Sequence, residues 1–174
     1  MRSAAFLAVG VLLIVVQGNL YPLIGYRGLH GATPNLVLPL VIFLGVHETS
    51  MARGSLLAFA LGYATDLLAS APIGLFSLMA VATWWLGRIA GVRLTAQTWW
   101  TKAALAFGFS LVESVLVLVL LAIFGADPQR PLEIASVALP HATSTALCSL
   151  LIFPLAQRIH QGAALSRAFE GLGR

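Results

Sequence analysis

Apolar runs follow one another along nearly the whole chain, separated only by short polar or Gly- and Pro-containing breaks. This alternation constrains the fold more than any single motif. With 59% hydrophobic and 9% charged residues, the chain cannot cover a globular surface with wet groups, because soluble domains carry roughly a quarter charged residues. Lipid is the alternative solvent. A helical span there needs about 20 mostly apolar residues, so a chain of this size holds about five to seven.

The breaks predict six helices. They run from about Ser3 to Leu20, Pro34 to Val46, Met51 to Leu68, Ile73 to Ile89 and Trp99 to Phe124. The sixth starts between Leu132 and Pro140 and ends near Gln157. Pro140 fits a first-turn position as well as a kink. The expected organisation is one membrane domain over residues 1–160 and a polar tail over 161–174. The N-terminal stretch MRSAAFLAVGVLLIVVQG has the outline of a signal peptide, but no small-residue cleavage site follows it, so it is read as a first, uncleaved span.

Ten Lys and Arg outnumber six Asp and Glu. The basic residues stand singly between apolar runs and form no nucleic-acid patch. They carry topological information instead. With six spans and both ends in the cytoplasm, Arg2, Arg53, Arg88, Arg93, Lys102, Arg158, Arg167 and Arg174 fall inside, while Arg27 and Arg130 fall outside. Trp84, Trp85, Trp99 and Trp100 fall at the inner interface, where amphipathic rings settle. The single cysteine, Cys148, permits neither an internal disulfide nor a cysteine metal site.

The third helix repeats small residues every fourth position, Gly54, Ala58 and Gly62, and ends the stripe at Asp66. Small residues at this spacing let a helix backbone approach closely. The stripe therefore serves helix packing inside the bundle or docking of a partner protein. Asp66, and Glu113 on the fifth helix, are costly in a span and normally face the bundle interior. A rise of about 1.5 Å per residue puts Asp66 and Glu113 roughly 21 Å, Asn19 roughly 24 Å and His141 roughly 25 Å above the inner face. One reading is a polar cluster or outward-opening cavity built from Asn19, Asp66, Glu113 and His141. The other is that Asp66 caps the Ala69–Gly74 turn while Glu113 bonds a nearby hydroxyl. No phosphate loop, zinc-protease motif or nucleophile elbow is present. A lone His141 reads as a hydrogen-bonded interior residue. No catalytic residue, metal or cofactor is expected.

The stretch PNLVLPLVIFLGVHETSMARGSLLAFALGYATDLLASAPIGLFSL, from Pro34 to Leu78, resembles the rod shape-determining MreD family. The matching positions are Pro34, Asn35 and Leu36; Gly54, Gly62, Asp66, Leu67 and Leu68; and Pro72 and Gly74. Leu139-Pro140 and Phe153-Pro154-Leu155 with Arg158 fit the last span. Glu113 has no counterpart in the pattern. The resemblance implies an all-α integral membrane protein of six transmembrane helices, with a fold similar to the substrate-binding subunits of energy-coupling-factor transporters. It implies residence in the bacterial inner membrane and a non-catalytic role in cell shape and lateral peptidoglycan synthesis. The implied partners are an MreC-like protein, MreB, RodA and a penicillin-binding transpeptidase, together with membrane lipid and no nucleic acid. The alternative is a substrate-capturing subunit of an energy-coupling-factor vitamin transporter. Ala4 and Ala8 resemble the small-residue patch with which such subunits meet their coupling protein.

Overall fold

A helix that is apolar on every side has to be buried on every side, and the segment Val37–His47 obeys that rule, with Val37 through Gly45 all buried. It is the second of six helices: α1 (Arg2–Tyr26), α2 (Val37–His47), α3 (Met51–Leu68), α4 (Leu75–Gly91), α5 (Trp99–Phe124) and α6 (Arg130–Leu172). The computed structural model describes residues 2–26, 33–48, 50–68, 74–91, 99–124 and 130–172. α2 forms the centre of the bundle and packs chiefly on α4, then on α6. α3 pairs with α4, and α5 with α6.

The all-α architecture and the six helices follow the sequence pattern, but the six spans do not. Among the described residues three helices have the length and apolarity to cross a membrane, in the windows Ser3–Leu20, Trp100–Val119 and Ser136–Gly162. The reason is physical. An 11-residue α2 is about 16 Å long at 1.5 Å per residue, roughly half of a 30 Å hydrocarbon core. The apolar part of α4, Leu75–Ala90, is also short of a span. α3 has 18 residues, but Arg53, Asp66 and several small residues dilute its apolar character. The expected six-transmembrane, transporter-subunit architecture is therefore replaced by a membrane protein with three spanning-length helices and shorter apolar helices packed with them.

Close backbone approach sets how tightly these helices pack. A Cβ on Gly45 of α2 would sit 2.6 Å from the Trp84 carbonyl oxygen, and one on Gly54 of α3 would sit 2.5 Å from the Trp84 ring. Trp84 is fully buried. It fills the α2–α3–α4 junction instead of lying in an interfacial belt, whereas Trp100 is exposed. Gly62 lies directly against the backbone of Phe76 and Ser77 on α4. The stripe Gly54, Ala58, Gly62 is buried throughout, with α4 seated on Gly54 and Gly62, so it serves helix packing inside the bundle. The opposite side of α3 carries exposed Leu56, Phe59, Tyr63 and Leu67.

One end of the bundle gathers the start of α1 and the later part of α6. Phe6 and His160 each lie with ring centroids 6.1 Å from that of Phe43, and His47 stacks on Phe43 at 4.0 Å. Burial lowers the pKa of His47, and the nearby His160 and Lys102 lower it further, against a raising hydrogen bond to the Phe43 carbonyl. At this end Arg88 donates to the Glu48 carbonyl at 2.8 Å and lies over the Trp84 ring. α6 is one helix through Pro140 and Pro154. Hydroxyls take up carbonyls along it: Thr143 donates to Pro140, and Ser144 to His141, each at 2.9 Å. The helix continues through the residues expected to form a separate tail.

Candidate functional site

Two polar junctions organise the interior, and of the sequence-derived cluster Asp66 falls in one and Glu113 and His141 in the other. The first is at Asp66. Its carboxylate accepts from the backbone N–H groups of Gly74 (3.1 Å), Phe76 (2.8 Å) and Ser77 (3.0 Å), and from the Ser77 hydroxyl (2.6 Å). These are the orphan donors at the start of α4, where a negative charge also meets the positive end of the helix dipole. Gly74 stands at φ +99°, a left-handed conformation that a side chain would strain. Asp66 is thus a cap reaching from the end of α3 to the start of α4. Pro72 lies outside the described residues.

The second junction is at Asn35, just before α2. Its side-chain oxygen accepts from the N–H groups of Val37 and Leu38, both at 3.1 Å. Its amide donates to Glu113 Oε1 at 2.8 Å, and its backbone N–H donates to Thr145 Oγ1 at 3.0 Å. The next N–H, that of Leu36, donates to Gln17 Oε1 at 3.0 Å. One asparagine therefore caps α2 and ties it to α5 and α6. His141 Nδ1 is 2.6 Å from the Thr33 carbonyl oxygen, which anchors the same entry segment to α6. Pro34 between them is buried.

Glu113 and His141 share a cavity of about 220 Å³ at this junction. Gln17, Asn35 and Ser114 supply its other polar walls, while Phe76, Val117, Val137 and Ala138 supply the apolar ones. A second pocket, about 20 Å³, lies between Asn35, Glu113, Gly62, Thr65 and Thr83. Glu113 is 7% exposed, and its Oε2 has no hydrogen-bond partner among the described residues. The nearby hydroxyl of Ser114 donates instead to the Ser110 carbonyl at 2.9 Å.

Of the four residues placed in one layer by the depth estimate, the structure brings together Glu113 and His141. Asn19 is exposed and donates to the carbonyl of Val15, one turn earlier on its own helix, at 2.8 Å. Asp66 is engaged at α4. Gln17 was not singled out, and Asn35 entered only through the family pattern. The signal for Asn35 was present, since an Asn one or two positions before an apolar helical run is a cap candidate. No signal in the sequence links Gln17 to the Leu36 N–H. Among the described residues no group of three His, Cys, Asp or Glu could hold a metal ion.

The Asn35 junction yields a direct test. Asn35→Ala removes a cap worth about 0.5–2 kcal/mol and strips the buried Glu113 Oε1 of its donor. A drop in thermal unfolding midpoint larger than a cap alone accounts for is expected. Glu113→Ala in the Asn35→Ala background should then cost less than Glu113→Ala alone. Strictly additive losses would show that the two side chains are uncoupled.

Comparison with protein-family models, with curated proteins and with solved structures finds no match to this chain.

Proposed function

We propose that this protein is a non-catalytic component of the bacterial inner membrane. It binds an MreC-like protein and, through it or directly, MreB, RodA and a penicillin-binding transpeptidase, and so helps organise lateral peptidoglycan synthesis. The observation that carries the reading is the use made of the MreD-like residues. Asn35 caps α2, Gly62 seats α4, Asp66 caps α4 and Gly74 supplies the turn. The shared pattern thus corresponds to a helix-joining scaffold, as expected of a protein that positions others. With the small-residue stripe covered by α4, the exposed α3 face around Phe59 and Leu67 is the side left for lipid or a partner. The start of α1 and the later part of α6 share the end that also carries Lys102 and Arg88. Under the positive-inside rule that end is assigned to the cytoplasm, with both termini.

A second reading, a substrate-capturing subunit of an energy-coupling-factor transporter, is favoured by the 220 Å³ cavity beside Glu113. Affinity purification from gently solubilised native membranes separates the two. Co-purification of MreC-like and RodA-like chains supports the cell-shape role. Recovery of a coupling protein with ATPase subunits, and no cell-wall proteins, transfers the chain to transport.

A further inference from the structure

The cavity at Glu113 contains a charge-bearing group that the rest of the fold leaves half used. Asn35 satisfies Oε1 at 2.8 Å, whereas Oε2 is buried without a partner among the described residues. No Lys or Arg is among the described residues that line the cavity. A carboxylate out of water needs a compensating charge or donor, and the described residues supply neither at this oxygen. Two further lining residues, one on α5 and one on α6, carry acceptor atoms. Ser114 Oγ gives its proton to the Ser110 carbonyl and keeps its lone pairs. His141, with Nδ1 set against the Thr33 carbonyl, keeps Nε2 as its remaining hydrogen-bonding atom. In the neutral ring with a proton on Nδ1, that atom is an acceptor. The remaining walls, Phe76, Val117 and Val137, are apolar.

We propose that this cavity binds a primary ammonium group carried on an apolar stem, with Glu113 as its counter-ion. An –NH₃⁺ group has three donors and no acceptor, which suits a cavity whose lining residues Glu113, Ser114 and His141 all carry acceptor atoms. The apolar stem lies along Phe76, Val117 and Val137. An anion would face Glu113 unscreened, an alcohol would bring one donor, and a quaternary ammonium would bring none. The site is independent of the partner-binding role and, under the transport reading, defines the substrate class. Two sources supply this chemistry, the headgroup of an aminophospholipid or a free alkylamine.

The test uses the full chain in phosphatidylcholine nanodiscs, with binding read from the shift in unfolding midpoint. The probes are hexylammonium, hexanol, hexanoate and trimethylhexylammonium. The expected result is a saturable shift with hexylammonium at least tenfold tighter than with the other three, weakened at least tenfold in Glu113→Gln. Ala138→Phe, which fills the cavity without touching the carboxylate, should abolish the shift and serves alone if Glu113→Gln does not fold. Weaker hexylammonium binding in phosphatidylethanolamine discs assigns the lipid headgroup as the source, and unchanged binding assigns a free amine. Equal binding of all four probes, no saturable binding, or full binding in both variants overturns the proposal.

Discussion

Asp66→Ala is expected to abolish the paired arrangement of α3 and α4, with the largest loss of stability of any single polar substitution described here. The carboxylate takes four hydrogen bonds, three of them from backbone N–H groups at the start of α4. Alanine strands these donors where Asp66 itself is 3% exposed. A stranded buried donor costs about 1–3 kcal/mol. The Ser77 donor is buried and those of Gly74 and Phe76 are part-buried, so their combined loss is a large share of the total of about 5–15 kcal/mol typical of a folded domain. Graded variants sharpen the expectation. Oδ2 serves Gly74, the Ser77 N–H and the Ser77 hydroxyl, while Oδ1 serves Phe76 alone. Asp66→Asn, with its one oxygen at the Oδ2 position, therefore gives up one backbone partner and the charge. Ser77→Ala gives up only the hydroxyl bond. Stability should fall in the order wild type, Ser77→Ala, Asp66→Asn, Asp66→Ala. The fluorescence of the buried Trp84, on α4 itself, reports the transition. An Asp66→Ala protein as stable as Ser77→Ala would remove the capping role.

Gly62→Leu is expected to prevent folding. A Cβ at this position meets the Phe76 carbonyl oxygen and lies 2.6 Å from Ser77 Cα. Both are backbone atoms of a helix pinned by Asp66, so neither can move aside as a flexible side chain would. Even Gly62→Ala should cost more than the 1–3 kcal/mol usual for overpacking. Gly108→Ala on α5 is the control, since a Cβ there meets nothing within 4 Å. It should be neutral or stabilising, because alanine favours a helix over glycine by about 1 kcal/mol. A Gly62→Ala protein as stable as Gly108→Ala would mean that helix propensity, not close approach to α4, governs the effect.

The contrast between the two junctions shows what the sequence carries and what it does not. The limits of α3 and α5 are legible, because apolar runs with clear polar breaks define them. α1 extends to Tyr26, past Pro22, and α6 runs from Arg130 to Leu172, since proline and glycine are tolerated in long membrane helices whose neighbours hold them. Asp66 as a cap was one of two open alternatives, and its bonds to residues eight to eleven positions later are a local event that sequence can suggest. A rise per residue gives no direction around the helix axis, and an exposed Asn can bond its own helix, as Asn19 does. Asn35 to Glu113 and Asn35 to Thr145 join residues 78 and 110 positions apart, and no local pattern encodes such a pairing. The spans were over-counted for a related reason. Apolarity marks α2 as buried, but buried in protein and crossing lipid have the same composition.

The enclosure of α2 also bears on the order in which the chain can be assembled. Its principal neighbours, α4 and α6, are both made after it. A nascent chain that has emerged only as far as α3 holds an apolar rod too short to settle across a bilayer, with its walls still unsynthesised. The central helix is therefore the first to need shelter and the last to receive it. Burial of α2 is complete only once α6, made well after it, has packed against it.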